Sequence, residues 1–289
     1  MQIASRKLAV SLNREGKELL VKTVSKSNSQ NQVPTLRVNL FGGVDVKIGD
    51  IQVEPKLLSR QKVRLLLALL VLNRGHFMSS SRLSQMLYPE SHPECARKSF
   101  YSAWSRLKSA LTTPCGTRPY LIKQQGGYKI DSTFLSSDVL ELKDVCTALL
   151  LGHAPEAGWS HLYARIKDTF ACDFMSNDEG NPVVDALRIT FRDNLVDALV
   201  VASKTLCDQG KKQEAAWFAQ AAFTRDCSRE DVYVALMRAQ IACLQRNAAL
   251  QTYFKCQKYL ASELGIDPSP ETVLLYKNII EPAPKSVLD

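Results

Sequence analysis

Hydrophobic residues follow two different periods along the first half of the chain. Between residues 36 and 53 they alternate with polar residues, and the alternation is interrupted at Gly42-Gly43 and at Gly49-Asp50. That pattern predicts short antiparallel strands joined by tight turns. Beyond residue 59 the period becomes helical, which predicts three helices over residues 61–73, 82–87 and 94–111.

The third of these helices has one apolar face and one basic face. Its large apolar residues follow one another at spacings of four, three and four, with alanines beside them, and are Phe100, Trp104, Leu107 and Leu111. The predicted opposite face carries Arg97, Lys98, Tyr101, Ser102, Ser105, Arg106, Lys108 and Ser109. Positive charge and short hydrogen-bonding side chains on one rod suit a DNA major groove. In an isolated helix, however, this pattern more often marks a solvated face.

A hairpin is predicted directly after the third helix. Two short apolar segments, residues 120–123 and 128–130, flank a turn that the glycines place at Gly126-Gly127. Strands, three helices and a terminal hairpin form a winged helix-turn-helix, in which the second helix positions the third in the major groove. Lys123 and Lys129 on this wing suit phosphate contacts, and they suit ordinary solubility equally well.

The second half of the chain is predicted to be all helical. Apolar periodicity gives helices over residues 138–150, 157–170, 183–209, 211–226, 229–245, 248–264 and 270–280. Small residues recur there at a separation of 34, which is the tetratricopeptide period: Ala215 with Ala249, and Ala222 with Cys256. The expected fold class is therefore mainly α with a small β component, a winged helix followed by a tetratricopeptide-like helical domain.

Charge is distributed unevenly over the 289 residues, which carry a net charge of +8. Residues 36–134 hold fifteen basic and six acidic side chains, whereas residues 135–289 hold sixteen and twenty-one. This contrast predicts a polyanionic partner for the first region and a protein-facing role for the second. The expected domains are a basic tail at 1–35, a DNA-binding domain at 36–134, a helical domain at 135–282 and a short tail at 283–289.

Several classes of protein are disfavoured by the sequence. The longest apolar run, residues 65–72, is too short to span a membrane, and no signal peptide is recognised, so a cytoplasmic protein without membrane contact is expected. Neither the eight cysteines nor the four histidines have metal-ligand spacing, and no phosphate-binding loop is present. Asp138, Glu141, Asp144 and Asp173 are interpreted as helix caps and solvated side chains. We therefore expect no enzyme activity, no cofactor and no metal.

Four stretches of the chain resemble the Streptomyces antibiotic regulatory protein (SARP) family of bacterial transcriptional activators. Three lie in the first half, at residues 61–70, 96–111 and 126–128. The fourth, Tyr259–Glu271, contains Glu-Leu-Gly-Ile-Asp-Pro-Ser-Pro and is similar to the family's bacterial transcriptional activator domain. The resemblance covers about Leu36 to Ile280. By position in the third helix, it implies a DNA-reading role for Arg97, Lys98, Tyr101, Ser102, Ser105, Arg106 and Lys108.

The chain departs from the family pattern at a few positions. Lys108 stands where the family usually has arginine, so the charge is kept but a bidentate guanine contact is not. Tyr88-Pro89 follows Leu87 where a tryptophan is usual, and Gln245 lies near the usual glycine turn of the repeat. Residues 154–182 match the family little, which predicts a surface specific to this protein.

Three functions remain open at this point. The first is a sequence-specific transcriptional activator that binds double-stranded DNA, with the helical domain contacting RNA polymerase or forming a homodimer. The second is a protein-interaction adaptor whose winged helix no longer recognises a DNA sequence. The third is a sensor whose helical domain holds a small ligand, for which the sequence offers no convergent polar pocket.

Overall fold

The computed structural model describes residues 33–281, and the predicted tails at 1–35 and 283–289 lie almost wholly outside them. The first element is a four-stranded sheet in the order β3-β2-β1-β7. Its strands are β1 (Leu36–Asn39), β2 (Asp45–Ile48), β3 (Ile51–Gln52) and β7 (Leu135–Ser137). The first three are antiparallel, as the alternation predicts, but β7 pairs parallel to β1 with Leu36 opposite Leu135. Residues 135–137, which the expected domain limits assign to the helical domain, are thus part of this sheet.

Three helices and a second sheet complete the first half of the molecule. The helices confirm the predicted order, and the hairpin strands β5 and β6 pair with a short strand β4 that precedes the second helix. The elements are α1 (Gln61–Leu72), β4 (Met78–Ser79), α2 (Ser80–Leu87), α3 (Pro93–Ala110), β5 (Leu121–Gln124) and β6 (Gly127–Ile130). The hydroxyl of Ser79 accepts from the amide of Arg82 and thereby caps α2.

The turn of the wing lies one residue earlier than predicted. Gln125 and Gly126 occupy its two central positions with φ of 45° and 78°, the conformation of a tight hairpin turn that matches strand twist. Gly127 is the first residue of β6 instead. A Cβ atom there would lie 3.0 Å from Cδ1 of Phe77, so close packing rather than backbone freedom favours glycine at this position.

Seven helices form the second half, and their order agrees with the prediction. They are α4 (Asp138–Leu150), α5 (Trp159–Asp168), α6 (Pro182–Asp208), α7 (Lys212–Arg225), α8 (Glu230–Ala242), α9 (Arg246–Tyr259) and α10 (Pro270–Ile280). A single wider helical turn, Leu260–Leu264, extends α9. The side chain of Ser269 caps α10 and Pro270 occupies its first turn, so the Pro-Ser-Pro-Glu part of the signature is a helix start.

The 34-residue period is a true structural repeat. Ala215, Ala222, Ala249 and Cys256 are all fully buried, so small residues allow the paired helices to pack closely. The turns between the helices also correspond. Lys211 N donates to the carbonyl of Leu206 at 2.9 Å, and Gln245 N, 34 residues later, donates to that of Gln240 at 2.8 Å.

The equivalent turn residues differ in one respect. Gly210 adopts φ of 74° before α7, and Leu244 adopts φ of 61° at the matching place before α9. Leucine in this left-handed conformation costs roughly 1–2 kcal/mol because its Cβ crowds the backbone. The residue that replaces the usual glycine of the repeat is therefore Leu244, next to the predicted Gln245.

A buried carboxylate joins the two halves. Asp138, the first residue of α4, is 3% exposed and accepts from the amides of Leu40 at 2.9 Å, Phe41 at 3.0 Å and Val139 at 2.7 Å. Burial raises the pKa of Asp138, while these amides and the charge of Arg165 act in the opposite direction. The interpretation of Asp138 as a solvated cap is wrong, because its side chain also bonds to the end of β1.

The segment with little family likeness forms a second contact between the halves. Asp178, 1% exposed, accepts three hydrogen bonds from Arg64 of α1, at 2.9 and 3.1 Å from Nε and at 2.5 Å from Nη2. In addition, Phe41 packs edge-to-face on Phe170 and Phe191 at 5.5 and 6.0 Å between ring centres. Residues 154–182, for which the sequence predicts a surface specific to this protein, thus also hold the winged half against the helical half.

Candidate nucleic-acid interface

The buried face of α3 is anchored by aromatic packing on the wing. Tyr128 of β6 is 1% exposed and contacts Phe100 and Trp104 edge-to-face, at 4.9 and 4.7 Å between ring centres. Phe100, Leu107 and Leu111 are fully buried and Trp104 is 7% exposed, which confirms the predicted apolar face. Because the same rings hold α3 and the wing, the two elements keep a fixed relative position.

The opposite face of α3 is exposed along its length. Each of the seven residues predicted to contact DNA on this helix is solvent-exposed: Arg97, Lys98, Tyr101, Ser102, Ser105, Arg106 and Lys108. At about 100° per residue they cover roughly half of the helix circumference. Tyr101 adjoins Tyr128 of the wing, whose pKa is raised by burial and by the Tyr101 hydroxyl. Arg106 and Ser102 lie instead on the side of α1.

The cations of this face are not used to stabilise the fold. Within residues 33–281, the side chains of Arg97, Lys98, Arg106 and Lys108 form no ion pair within 4.0 Å and no hydrogen bond. Many other arginines are bound to carboxylates or carbonyls, namely Arg64, Arg74, Arg165, Arg188, Arg225, Arg229, Arg238 and Arg246. The α3 cations are therefore available to an external anion.

The two wing lysines lie on opposite faces of the hairpin. Lys123 is opposite Tyr128 in the strand register, and its Nζ is 5.7 Å from the centre of the Tyr128 ring. Residues paired in this way project from the same face of a sheet, so Lys123 is on the α3 side. Lys129 is on the other face, with Nζ 4.8 Å from the centre of the Phe77 ring. Only Lys123 therefore shares a face with α3.

An open groove of about 590 Å³ separates α3 from the start of α1. Three cations line it: Arg60 at the cap position of α1, Lys62 in the first turn of α1, and Arg106 on α3. Lys62 Nζ is 5.5 Å from the centre of the Tyr88 ring, which also lines the groove. Arg60 and Lys62 were not predicted from the sequence, because they open a helix whose apolar residues dominate its pattern. Their spacing of two residues at the start of that helix was the available signal.

The described part of the chain contains four histidines and eight cysteines. No group of three or more histidine, cysteine or acidic side chains there is arranged to hold a metal ion. His76, His92, His153 and His161 are all exposed, as expected for surface histidines. Burial raises the pKa of the Cys146 thiol to about 12, so this cysteine is a packed side chain rather than a nucleophile. No helix within residues 33–281 is long and apolar enough to cross a membrane.

Both halves of the chain are similar to known proteins. Residues 168–280 match the family model of the bacterial transcriptional activator domain. The chain is 23% identical over 266 residues to the transcriptional regulatory protein MoaR1 of Mycobacterium tuberculosis, and the aligned part covers 86% of this chain and 80% of that protein. MoaR1 of Mycobacterium bovis matches to the same extent. The likeness to a regulator thus includes the winged half as well as the helical one.

A solved structure shares the fold. It is that of Mycobacterium tuberculosis EmbR in complex with a low affinity phosphopeptide, with a TM-score of 0.68 and 23% sequence identity. The match covers 87% of this chain and 66% of that one, so the chain spans less than two thirds of the EmbR structure. At this identity the likeness establishes the arrangement of winged and helical halves.

Proposed function

We propose that this chain, a transcriptional regulator of the SARP type, binds double-stranded DNA sequence-specifically by placing α3 in the major groove. In this proposal Arg97, Lys98 and Arg106 contact bases or phosphates, with the hydroxyls of Tyr101, Ser102 and Ser105 beside them. Lys108 contributes charge. Lys123 contacts the backbone from the wing, and Lys129, on the far face of the hairpin, makes the weakest contribution of the predicted set.

One observation carries this proposal. The cations of α3 are exposed and unpaired within the described structure, on a helix whose other face is fixed by Phe100 and Trp104. A rigid rod with unpaired positive charge loses little entropy when it docks, and each phosphate that it neutralises releases counterions. The DNA-binding unit is proposed to end with β7, so that residues 135–137 join the predicted 36–134.

The helical half is proposed to contact proteins. Between α6, α8 and α10 runs a groove of about 510 Å³ with Val200, Val234 and Ala235 among its lining residues and the Arg238–Glu271 ion pair, 2.8 Å long, across it. Stacked helical repeats commonly use such concave surfaces to bind peptides or partner helices. Contact with RNA polymerase and self-association as a homodimer are the two roles that we propose for it.

Competitive binding by the whole chain tests the DNA proposal. A duplex enriched from a random-sequence pool by the chain itself competes with unselected duplex at physiological salt. We expect the selected duplex to bind at least roughly a thousandfold more tightly than the unselected duplex. Weak, salt-sensitive binding of both duplexes would instead support the adaptor hypothesis, in which the winged helix no longer recognises a sequence.

A further inference from the structure

The groove beside α3 continues the exposed basic face onto a second helix. Arg106 and Ser102 belong both to the proposed DNA-binding face and to the lining of the groove, whose opposite wall carries Arg60 and Lys62. The described residues that line the groove include three cations and no carboxylate. This surface is therefore complementary to a polyanion that already lies along α3.

Packing holds the opposite wall of the groove in place. Nη1 of Arg64 donates to the carbonyls of Leu58 and Ser59 at 2.9 and 2.6 Å, and the same guanidinium is bound to the buried Asp178. The backbone just before Arg60 is thus tied to the helical half. Because Arg64 is used in this way, Arg60 and Lys62 are the cations of this segment that face the groove.

Tyr88 lies close to both of these cations. The ring of Tyr88 lies under Lys62 Nζ, and its hydroxyl is 3.5 Å from the carbonyl of Ser99 on α3. Burial raises the pKa of Tyr88, and the charge of Arg60 partly offsets this rise, which indicates that Arg60 is also close to this phenol. Hydroxyl and cationic groups thus converge from α1, α3 and the residue after α2, as in many contacts to phosphate oxygens.

We propose that this groove binds the DNA sugar-phosphate backbone next to the segment contacted by α3, with Arg60 and Lys62 as phosphate contacts. The inference rests on the proposed function, since one duplex would be contacted by α3 in its major groove and by Arg60 and Lys62 on its backbone. These two side chains should add affinity and fix the position of α3 without selecting the base sequence.

The test measures how DNA affinity depends on salt for the full chain. Arg60→Gln and Lys62→Gln are compared with Lys56→Gln, a control that removes an exposed charge outside the groove, where Lys56 is paired with Glu54 at 3.7 Å. The probes are the self-selected duplex and an unselected duplex, each titrated at several salt concentrations. Each groove variant should lower the slope of log affinity against log salt by about 0.9, and Lys56→Gln should leave it unchanged. The ratio of the two affinities should stay at the parent value.

Methylphosphonate substitution along the selected duplex gives a second readout. At least one neutralised phosphate that weakens binding by the parent should have no effect on Arg60→Gln. Parent-like slopes in both groove variants, or a changed ratio between selected and unselected DNA, would overturn the assignment. If the parent itself fails to discriminate the two duplexes while the variants still change the slope, the proposed function fails and the phosphate groove stands.

Discussion

Both the winged half and the helical half contain buried hydrophobic residues, but among the described residues the arginines of α3 have no partner, whereas several arginines of the helical half do. In the helical half Arg165, Arg188 and Arg225 donate to carboxylates or carbonyl oxygens, so these guanidinium groups already have partners within the fold. On α3 of the winged half, Arg97 and Arg106 are exposed and unpaired among the described residues. The net charge of a region therefore says less about a binding surface than whether each cation already has a partner.

Within α3, the buried aromatic face holds the fold and the exposed basic face does not. Trp104→Ala, on the buried face, should therefore have the largest effect on stability. Loss of a 7% exposed ring that packs on Tyr128 should lower the free energy of unfolding by about 3–5 kcal/mol. Chemical denaturation of the whole chain measures it, and Arg97→Ala on the opposite face is the matched control with little change. A Trp104→Ala protein as stable as that control would mean that the aromatic packing does not hold the winged half.

The junction between the halves should give the next largest effect. Asp178→Asn leaves Arg64 without its charged partner, and the free energy of unfolding should fall by about 2–3 kcal/mol. The loss is smaller than for a fully buried pair because the Arg64 side chain is 20% exposed and keeps its bonds to Leu58 and Ser59. A double-mutant cycle with Arg64→Met separates the pair from the individual side chains. Additive effects in that cycle would contradict the proposed coupling.

The two turns of the repeat provide a smaller and oppositely signed comparison. Leu244→Gly relieves a left-handed leucine that is 88% exposed and should stabilise the protein by about 1 kcal/mol. Gly210→Ala introduces the same strain at the equivalent position and should destabilise it by a similar amount. Thermal or urea unfolding measures both. Destabilisation by Leu244→Gly would mean that the leucine side chain makes a contact worth more than its backbone strain.

The smallest expected effect is the pH dependence contributed by Asp138. Its raised pKa means that the folded protein holds this proton more tightly than the unfolded chain does. Its titration therefore favours folding most below the ordinary carboxyl pKa, and that contribution is lost as the pH rises through the raised value. Compared with Asp138→Asn, the parent should lose relative stability as the pH rises above the ordinary carboxyl pKa of about 4. A difference that grows in the opposite direction would show that the amide bonds outweigh burial.

Much of the winged half could be predicted from local patterns. Strand alternation, the apolar face of α3 and the Ser79 cap are each set by neighbouring residues, so sequence spacing suffices to find them. The parallel pairing of β7 with β1 could not be predicted, because it joins Leu36 to Leu135 across nearly a hundred residues. The predicted position of the wing turn was wrong by one residue, because glycine at position 127 is favoured by the contact with Phe77 and not by a positive φ.

The candidate site was predicted only where charge and periodicity coincide. The exposed residues of α3 follow from its apolar spacing, whereas the different positions of Lys123 and Lys129 depend on the strand register. Arg60 and Lys62 come close to Arg106 only because α1 packs on α3. The burial of Asp138 and Asp178 likewise arises from contacts between the halves, which local sequence patterns do not predict.

The central claim, that unpaired arginines on α3 recognise DNA sequence, is tested most directly by the affinity ratio between selected and unselected duplex. Arg97→Ala and Arg106→Ala are measured beside Arg37→Ala, an exposed arginine on β1. We expect at least one α3 variant to lower the ratio by about 5- to 150-fold, the value of a lost bidentate base contact, with its thermal stability and the Arg37→Ala ratio unchanged. Parent-like ratios in both α3 variants would contradict the account.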